Sequence, residues 1–148
     1  MRIRHATAAD IPGLMALEKH AVTAAHWSVK QYETVFSVEP PPRVMLVLEE
    51  EAGLQGFIAG RMMDKEWEIE NIAVAVSARR RGFGTHLLRE FLELARDRGA
   101  DAIFLEVRES NLAARRLYEK WAFKQSGRRE LYYREPEEDA IVYQFGFG

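Results

Sequence analysis

The segment IENIAVAVSARRRGFGTHLL, residues 69–88, contains a change of hydrophobic period that decides the fold. Its first part, Ile69 to Val76, is mostly apolar and rich in β-branched residues, which is typical of a strand buried on both faces. From Gly84 onward the apolar residues recur at helical spacing, and Gly99 stands where the end of a helix favours a positive φ. The segment therefore predicts a strand, a turn and a helix, in that order.

The turn, residues 79–84, has the features of an anion-binding site. The first turn of a helix carries unpaired N–H groups and partial positive charge. Gly82 and Gly84 would let a ligand approach the backbone, and three arginines add cationic charge. The alternative is a basic, solvated loop. Two phosphate-binding motifs are excluded, because Thr85 stands where a Walker loop has lysine and Leu87 where the dinucleotide fingerprint has its third glycine.

The composition limits the classes of protein to which the chain can belong. The chain of 148 residues has the length of one domain, 1–148, and its 47% hydrophobic and 30% charged residues are those of an ordinary globular protein. A net charge of −2 gives no reason to expect nucleic acid as a partner. The lack of cysteine excludes disulfides, thiolate catalysis and cysteine-ligated zinc. No apolar run approaches the length of a membrane span or signal peptide, so we expect a cytoplasmic protein without membrane contact.

The remaining patterns predict an α/β fold with the order β-α-α-β-β-β-α-β-α-β-β. Two capping boxes mark the first helices, Thr7 with Asp10 and Ser28 with Gln31. The central sheet should be mixed, with about six to seven strands and helices on both faces. The predicted strands are 2–6, 44–48, 54–63, 66–76, 102–108, one from Phe123 and 139–145; the helices are 7–20, 28–37, 84–99 and 112–120; residues 24–27, 40–42 and 127–133 are predicted connections, the last with paired tyrosines. Gly56 and Gly60 suggest a bulge or a close approach of backbone in the third strand, and the acidic turn 49–51 is expected to be solvated.

Glu106 is the side chain that fits its surroundings least well. It interrupts an apolar strand, 102–108, which a β-α-β crossover would bury. A buried carboxylate is costly unless it is paired or solvated. Arg108, two residues further on and therefore on the same face, is one possible partner. In the other interpretation Glu106 lines a wet cleft and acts as a general base.

Three further side chains have two interpretations each. Tyr118 either packs or donates a proton to a leaving group, since a free phenol has a pKa of about 10. Asn111 either caps the helix that follows or contacts a ligand. Trp27, just before the Ser28 cap, is either a hydrophobic staple or part of an acceptor-binding loop. No group of His, Asp and Glu has the spacing of metal ligands, so we expect no metal.

The motif Arg79-x-x-Gly82-x-Gly84, placed after the strand that ends in Asn-Ile-Ala-Val, resembles the acetyl-CoA-binding motif of the GNAT acetyltransferases. Over nearly its whole length the chain resembles the bacterial ribosomal-protein-alanine N-acetyltransferases of the RimI type within that family. The segments that match are Trp27-Ser28, Glu70 to Val74, Arg79 to Gly84, Leu105-Glu-Val-Arg-x-Ser-Asn111, Leu117-Tyr-Glu119 with Phe123, Arg128-Arg129-x-x-Tyr132-Tyr133 and Glu138-Asp-Ala-Ile-Val142.

The resemblance implies a GNAT fold, acetyl-CoA as co-substrate, and roles for named residues. Glu106 corresponds to the family's general base and Tyr118 to its general acid. The reaction it implies is direct attack of a free amine on the thioester in a ternary complex. The implied donor-binding residues are Ile72, Ala73, Val74, Arg79, Arg80, Arg81, Gly82, Phe83, Gly84, Thr85, Asn111 and Tyr118.

On the acceptor side the resemblance implies a protein N-terminus, that of a ribosomal protein starting with alanine, with Trp27, Tyr132 and Tyr133 in contact with it. The enzyme would be a monomer or a weak homodimer. Two other classes stay open: a GNAT enzyme acting on a small amine or a lysine side chain, and a non-catalytic acyl-CoA-binding domain. The last class predicts a missing base or acid, whereas both Glu106 and Tyr118 are present.

Overall fold

The computed structural model describes residues 1–19, 27–37, 43–134 and 136–147, and their elements follow the predicted order. The helices and strands are β1 Arg2–His5, α1 Ile11–Lys19, α2 Val29–Ser37, β2 Arg43–Glu50, β3 Gly53–Met63, β4 Glu66–Val74, α3 Phe83–Asp97, β5 Ala102–Arg108, α4 Leu112–Lys120, β6 Lys124–Tyr133 and β7 Glu138–Gly146.

The strands form one seven-stranded sheet in the order β1-β2-β3-β4-β5-β7-β6. The β4–β5 pair is parallel, as the crossover through α3 requires, and every other neighbouring pair is antiparallel. The mixed sheet and the antiparallel β2-β3-β4 meander are therefore confirmed. This order puts β4 and β5 side by side in the middle of the sheet.

The sheet has helices on both faces, as predicted, and each face has its own core. On one face α3 packs with Leu87, Leu88 and Phe91 against the sheet, and Tyr118 of α4 joins the same cluster. On the other face Leu14 of α1 and Tyr32 of α2 are fully buried. The two cores meet the sheet on either side of β4.

Both predicted capping boxes stabilise helix starts. The Thr7 backbone N–H donates to the Asp10 carboxylate at 2.8 Å, ahead of a 3-10 turn, Ala8–Asp10, that leads into α1. The Ser28 N–H donates to the Gln31 side chain at 2.7 Å, and the Gln31 N–H returns a bond to the Ser28 hydroxyl at 3.2 Å. Helix α2 thus begins where the sequence indicates, whereas the predicted first helix starts as a 3-10 turn and becomes α-helical only at Ile11.

The predicted strand 66–76 and the helix after it need correction. The strand ends at Val74, and residues Val76–Ala78 form a 3-10 turn in which Val76 is 58% exposed. Burial alternates along β4, with Trp67 and Ile69 in the core beneath α3 and Ala73 in the core beneath α1, so each face of the strand is buried over part of its length. The helix begins at Phe83 after Gly82, whose φ of 77° lies in the left-handed region, and Gly99 has the predicted positive φ.

The prediction of a loop at 127–133 is wrong, because these residues continue strand β6. Most of β6 is exposed at the edge of the sheet, so it lacks the alternation that identifies a strand in sequence. In the neighbouring helix α4, Tyr118 is the buried residue.

The predicted helix end at His20, the connection at 24–26 and the proline run 40–42 lie outside the described residues. Within the described ranges, none of the helices combines the length and apolar character that crossing a membrane requires.

Candidate active site

The central feature of the site is an opening between β4 and β5. The parallel pairing of these strands runs from Glu66 with Ala102 to Ile69 with Leu105 and ends there. Beyond that point β4 still pairs with β3, and β5 still pairs with β7. The inner edge of β4 at residues 72–74 is therefore not paired with β5 in the described part of the chain. Its N–H and C=O groups can pair with an extended ligand.

A β-bulge in β4 accompanies this opening. Gly60 of β3 pairs with Ile69 and Ala59 pairs with Asn71, so Glu70 is the extra residue. A Cβ on Gly60 would lie 2.3 Å from the Phe91 ring, which is why α3 packs so closely at this point. The predicted bulge or close approach at Gly60 is confirmed.

Side chains on the face of the sheet that α1 and α2 cover hold the bulge in place. The Asn71 amide donates to the Glu18 carboxylate at 2.7 Å, and both residues are buried. The Arg43 guanidinium donates to both oxygens of Glu70, at 2.8 and 3.3 Å, and lies 5.6 Å from the Trp27 ring. The two bulge residues are thus fixed from α1 and from β2.

The basic turn lies after this edge strand, and its three arginines differ. Arg81 donates two hydrogen bonds to Glu50, at 2.9 and 2.8 Å, and its guanidinium lies 4.5 Å from the Phe83 ring. The pKa of Glu50 is lowered by these bonds, so the acidic turn is not merely solvated, which corrects the prediction. Arg79 and Arg80 form no ion pair within the described part of the chain.

Glu106 projects from β5 away from the α3 and α4 core, because its neighbours Leu105 and Val107 point into that core. Its ion pair is with Arg129 of β6, at 3.1 Å, and 19% of its side chain is exposed. The predicted pairing with Arg108 is wrong, since Arg108 pairs with Glu138 at 3.3 Å. Glu106 therefore faces the partly open side of the sheet.

Three titratable side chains surround Glu106. Burial, followed by the charges of Glu70 and Glu106, raises the pKa of Glu68. The Glu106 charge is the main cause that raises the pKa of Tyr132, and burial, followed by that charge, raises the pKa of Tyr133 to about 12. Glu68, Tyr132 and Tyr133 therefore all interact electrostatically with the Glu106 carboxylate.

Tyr118 lies on the other side of this group, 3% exposed in the α3 and α4 core. Its ring is 5.6 Å from Phe123 and 6.2 Å from Tyr143. Burial raises its pKa well above the usual value, with a smaller contribution from Tyr133. Tyr118 thus stays protonated at neutral pH, and Tyr133 interacts electrostatically with both Tyr118 and Glu106.

The two structural interpretations of Asn111 and Trp27 are confirmed. The Asn111 side chain accepts a hydrogen bond from the Ala114 N–H at 3.2 Å, which caps α4. Trp27, just before the Ser28 cap, contacts Tyr32 with ring centres 5.4 Å apart, which is a hydrophobic staple. Trp27 also lines a cavity of about 350 Å³ with Gln31 and Arg43.

Sequence reasoning missed Glu18, Glu68 and Arg129. Glu18 is four residues after Leu14, so its place on the buried side of α1 could have been recognised. Arg129 could not have been recognised, because its contact with Glu106 depends on how β6 pairs with β7. Among the described residues no cluster of three or more His, Asp and Glu could hold a metal ion.

Comparisons with known proteins agree with this geometry. Residues 13–123 match the profile described as Acetyltransferase (GNAT) family. The [ribosomal protein bS18]-alanine N-acetyltransferase of Salmonella typhimurium is 33% identical over 135 residues, which cover 90% of this chain and 88% of that protein.

Solved structures show the same fold. The ribosomal-protein-S18-alanine N-acetyltransferase of Escherichia coli superimposes with a TM-score of 0.87 at 27% identity, covering 99% of this chain and 94% of the other. YncA of Salmonella typhimurium, with its cofactor acetyl-CoA, has a TM-score of 0.82 at 22% identity, covering 100% and 94%. At that lower identity the likeness is one of fold.

Proposed function

The chain belongs to the GNAT family of acetyltransferases, and from that premise we propose that it acetylates the free N-terminal α-amine of a protein, a ribosomal protein that begins with alanine. The enzyme is an acetyl-CoA-dependent N-acetyltransferase. Relatives that cover most of the chain are named for the N-terminal alanine of ribosomal protein bS18, and they support this acceptor.

The observation that carries the proposal is the opening between β4 and β5, with Glu106 beside it. The opening offers a strand edge at 72–74 and a carboxylate that faces outward. The rim of the site is open, since Leu131 and Tyr132 are 56% and 49% exposed. An open rim of this kind favours a peptide over a small amine, which a closed pocket would enclose.

The residues fit acetyl-CoA, which supplies the acetyl group as a thioester. The backbone of Ile72 to Val74 would pair with the amide-containing pantetheine arm, because this edge lacks a β5 partner. The residues of the turn, Arg79 to Thr85, would hold the pyrophosphate with backbone N–H groups at the start of α3. Arg79 and Arg80 would contribute charge more directly than Arg81, which Glu50 already engages. Asn111 would contact the donor from the start of α4.

The chemistry assigned to this chain's residues is proton transfer and orientation. An α-ammonium group with a pKa of about 7.7–8.0 must lose a proton before its nitrogen can attack, and Glu106 would accept that proton, directly or through water. The nitrogen would attack the thioester carbon to form the new N–C bond, the C–S bond would then break, and the second proton that the nitrogen loses on becoming an amide would leave to solvent. The Tyr118 hydroxyl would give a proton to the departing sulfur, and its burial keeps that proton available. Backbone N–H groups near Val74 would stabilise the negative charge on the carbonyl oxygen.

The test is acetyl transfer from acetyl-CoA to an alanine-starting, arginine-rich peptide with one internal lysine, read by mass spectrometry. Modification of the α-amine alone is the expected result. Modification of the lysine would contradict the proposal and favour a lysine acetyltransferase. The same peptide with an acetylated N-terminus is the matched control, and it should stay unmodified. Light scattering tests the further expectation of a monomer or weak homodimer.

A further inference from the structure

The ion pair between Glu106 and Arg129 spans three strands of the sheet. Glu106 on β5 is opposite Val142 on β7, and Arg129 on β6 is opposite Ala140. The guanidinium therefore reaches across β7 to arrive within 3.1 Å of the Glu106 carboxylate. A contact over this distance is not imposed by the sheet itself and needs a separate structural cause.

An irregular part of β6 directly follows Arg129. Between Arg129, opposite Ala140, and Tyr133, opposite Glu138, β6 has three residues where β7 has only Asp139. This arch, residues 130–132, includes Leu131 in the left-handed region with a φ of 47°.

Asp139 anchors the arch. It accepts hydrogen bonds from the Leu131 N–H at 2.9 Å and from Arg128 at 2.7 Å. These bonds, that of Leu131 first, lower the pKa of Asp139, which stays ionised at neutral pH.

Two side chains approach Glu106 here, that of Arg129, just before the arch, and that of Tyr132, within it. The Arg129 guanidinium lies 5.2 Å from the Tyr132 ring, and the Tyr132 hydroxyl is close enough to Glu106 for that charge to dominate its pKa shift. Arg129 thus approaches one carboxylate oxygen, while Tyr132 packs against the guanidinium. The Glu106 side chain, which could otherwise rotate on the partly open face, is restrained from β6.

We propose that Arg129 is a positioning residue for acetyl transfer, which holds the Glu106 carboxylate in the orientation that accepts the proton of the acceptor amine. The inference rests on the proposed function of Glu106 as general base. It assigns a purpose to an otherwise costly arrangement, a left-handed leucine and an arginine that reaches across a neighbouring strand.

The ion pair between Glu106 and Arg129 is partly solvated, so an effect of Arg129 on catalysis can be told apart from an effect on stability. The Arg129 side chain is 58% exposed, and an exposed ion pair adds little to the stability of a fold. Removing the guanidinium should leave the protein folded, with its melting temperature nearly unchanged. A loss of turnover would then report on the orientation of Glu106.

The experiment compares Arg129→Gln, Arg129→Lys and the control Arg134→Gln, a surface arginine of the same segment that pairs with Glu137. With saturating acetyl-CoA and peptide, Arg129→Gln should lower kcat about tenfold, since small misplacements of a catalytic group cost about that much or more. The KM for acetyl-CoA should not change. Arg129→Lys keeps the charge and should lose less than about threefold, and Arg134→Gln should match the wild type.

A double-mutant cycle distinguishes this proposal from the one on which it rests. If Arg129 acts through Glu106, Arg129→Gln has no further effect in a Glu106→Gln background. An unchanged or raised kcat for Arg129→Gln, or an equal loss in both backgrounds, would overturn the positioning role. If Glu106→Gln alone turned over normally, the assignment of Glu106 would fail first, whatever Arg129 did.

Discussion

Glu18 and Asn71, 53 residues apart in sequence, are joined by a hydrogen bond of 2.7 Å between α1 and the bulge of β4. Both are among the most buried polar residues of the described chain, at 2% and 5% exposure. A buried amide left without its acceptor carries a desolvation penalty, so this bond favours one position of the bulge. The hydrogen bond thereby couples α1 to the bulged, partly unpaired segment of β4.

We expect Glu18→Leu to destabilise the protein by about 1–3 kcal/mol, because Asn71 loses its buried acceptor. Glu18→Gln keeps an acceptor oxygen in the same place and should cost less. Urea unfolding measures both, with the exposed Glu33→Gln as control. Equal stability of the leucine and glutamine variants would show that the bond to Asn71 does not hold the bulge.

Gly82→Val should weaken acetyl-CoA binding, because a side chain at a φ of 77° strains the turn and blocks approach to its backbone. The matched control is Gly99→Val, which imposes a similar strain, at a φ of 88°, beyond the other end of α3. Titration calorimetry should show an affinity reduced at least about tenfold for the first variant and little changed for the second. Equal affinities would place the pyrophosphate elsewhere.

Asp10→Asn should lower stability at neutral pH by about 1 kcal/mol, since Asp10 caps the first helix and pairs with Arg4 at 2.9 Å. The Arg4 hydrogen bond is the main cause that lowers the pKa of Asp10. A carboxyl with a lowered folded-state pKa stabilises the fold above its unfolded value, and this contribution is lost as the pH falls through the folded value.

The difference in stability between wild type and Asp10→Asn should therefore shrink as the pH is lowered below about 4. Urea unfolding at several pH values measures it, with Asp97→Asn as the exposed control. If the difference in stability between the two proteins stayed constant down to the lowest pH at which both are folded, the capping geometry, and not the charge, would account for the contribution of Asp10.

Much of the fold could be predicted because its signals are local. Capping residues such as Ser28 and Gln31 act within one turn, and the change of period after Val76 needs a window of about a dozen residues at most. The sequence failed at β6, whose exposed edge position leaves no alternation to recognise. It also placed the end of β4 too late, because the 3-10 turn at Val76 begins with a strand-favouring residue.

In the candidate site, too, the residues with local signals could be predicted and those placed by strand pairing could not. Glu106 was identified from an anomaly within its own strand, a carboxylate among apolar residues. Its partner, Arg129, could not be identified from sequence, since the contact depends on how β6 pairs with β7. Arg108 was the nearest arginine in sequence, but Glu138 and two backbone carbonyls engage it. Pairing between distant strands sets these contacts, and sequence periodicity does not encode it.

The role of Glu106 is the central claim, and the most direct measurement is the turnover of Glu106→Gln with saturating acetyl-CoA and an alanine-starting peptide. The change keeps the size of the side chain and removes its capacity to accept a proton. We expect kcat to fall at least about hundredfold, as for the loss of a general base, while the Kd for acetyl-CoA stays within about twofold. The control is Glu66→Gln, an exposed residue at the start of β4. Turnover equal to that of the wild type would contradict the account.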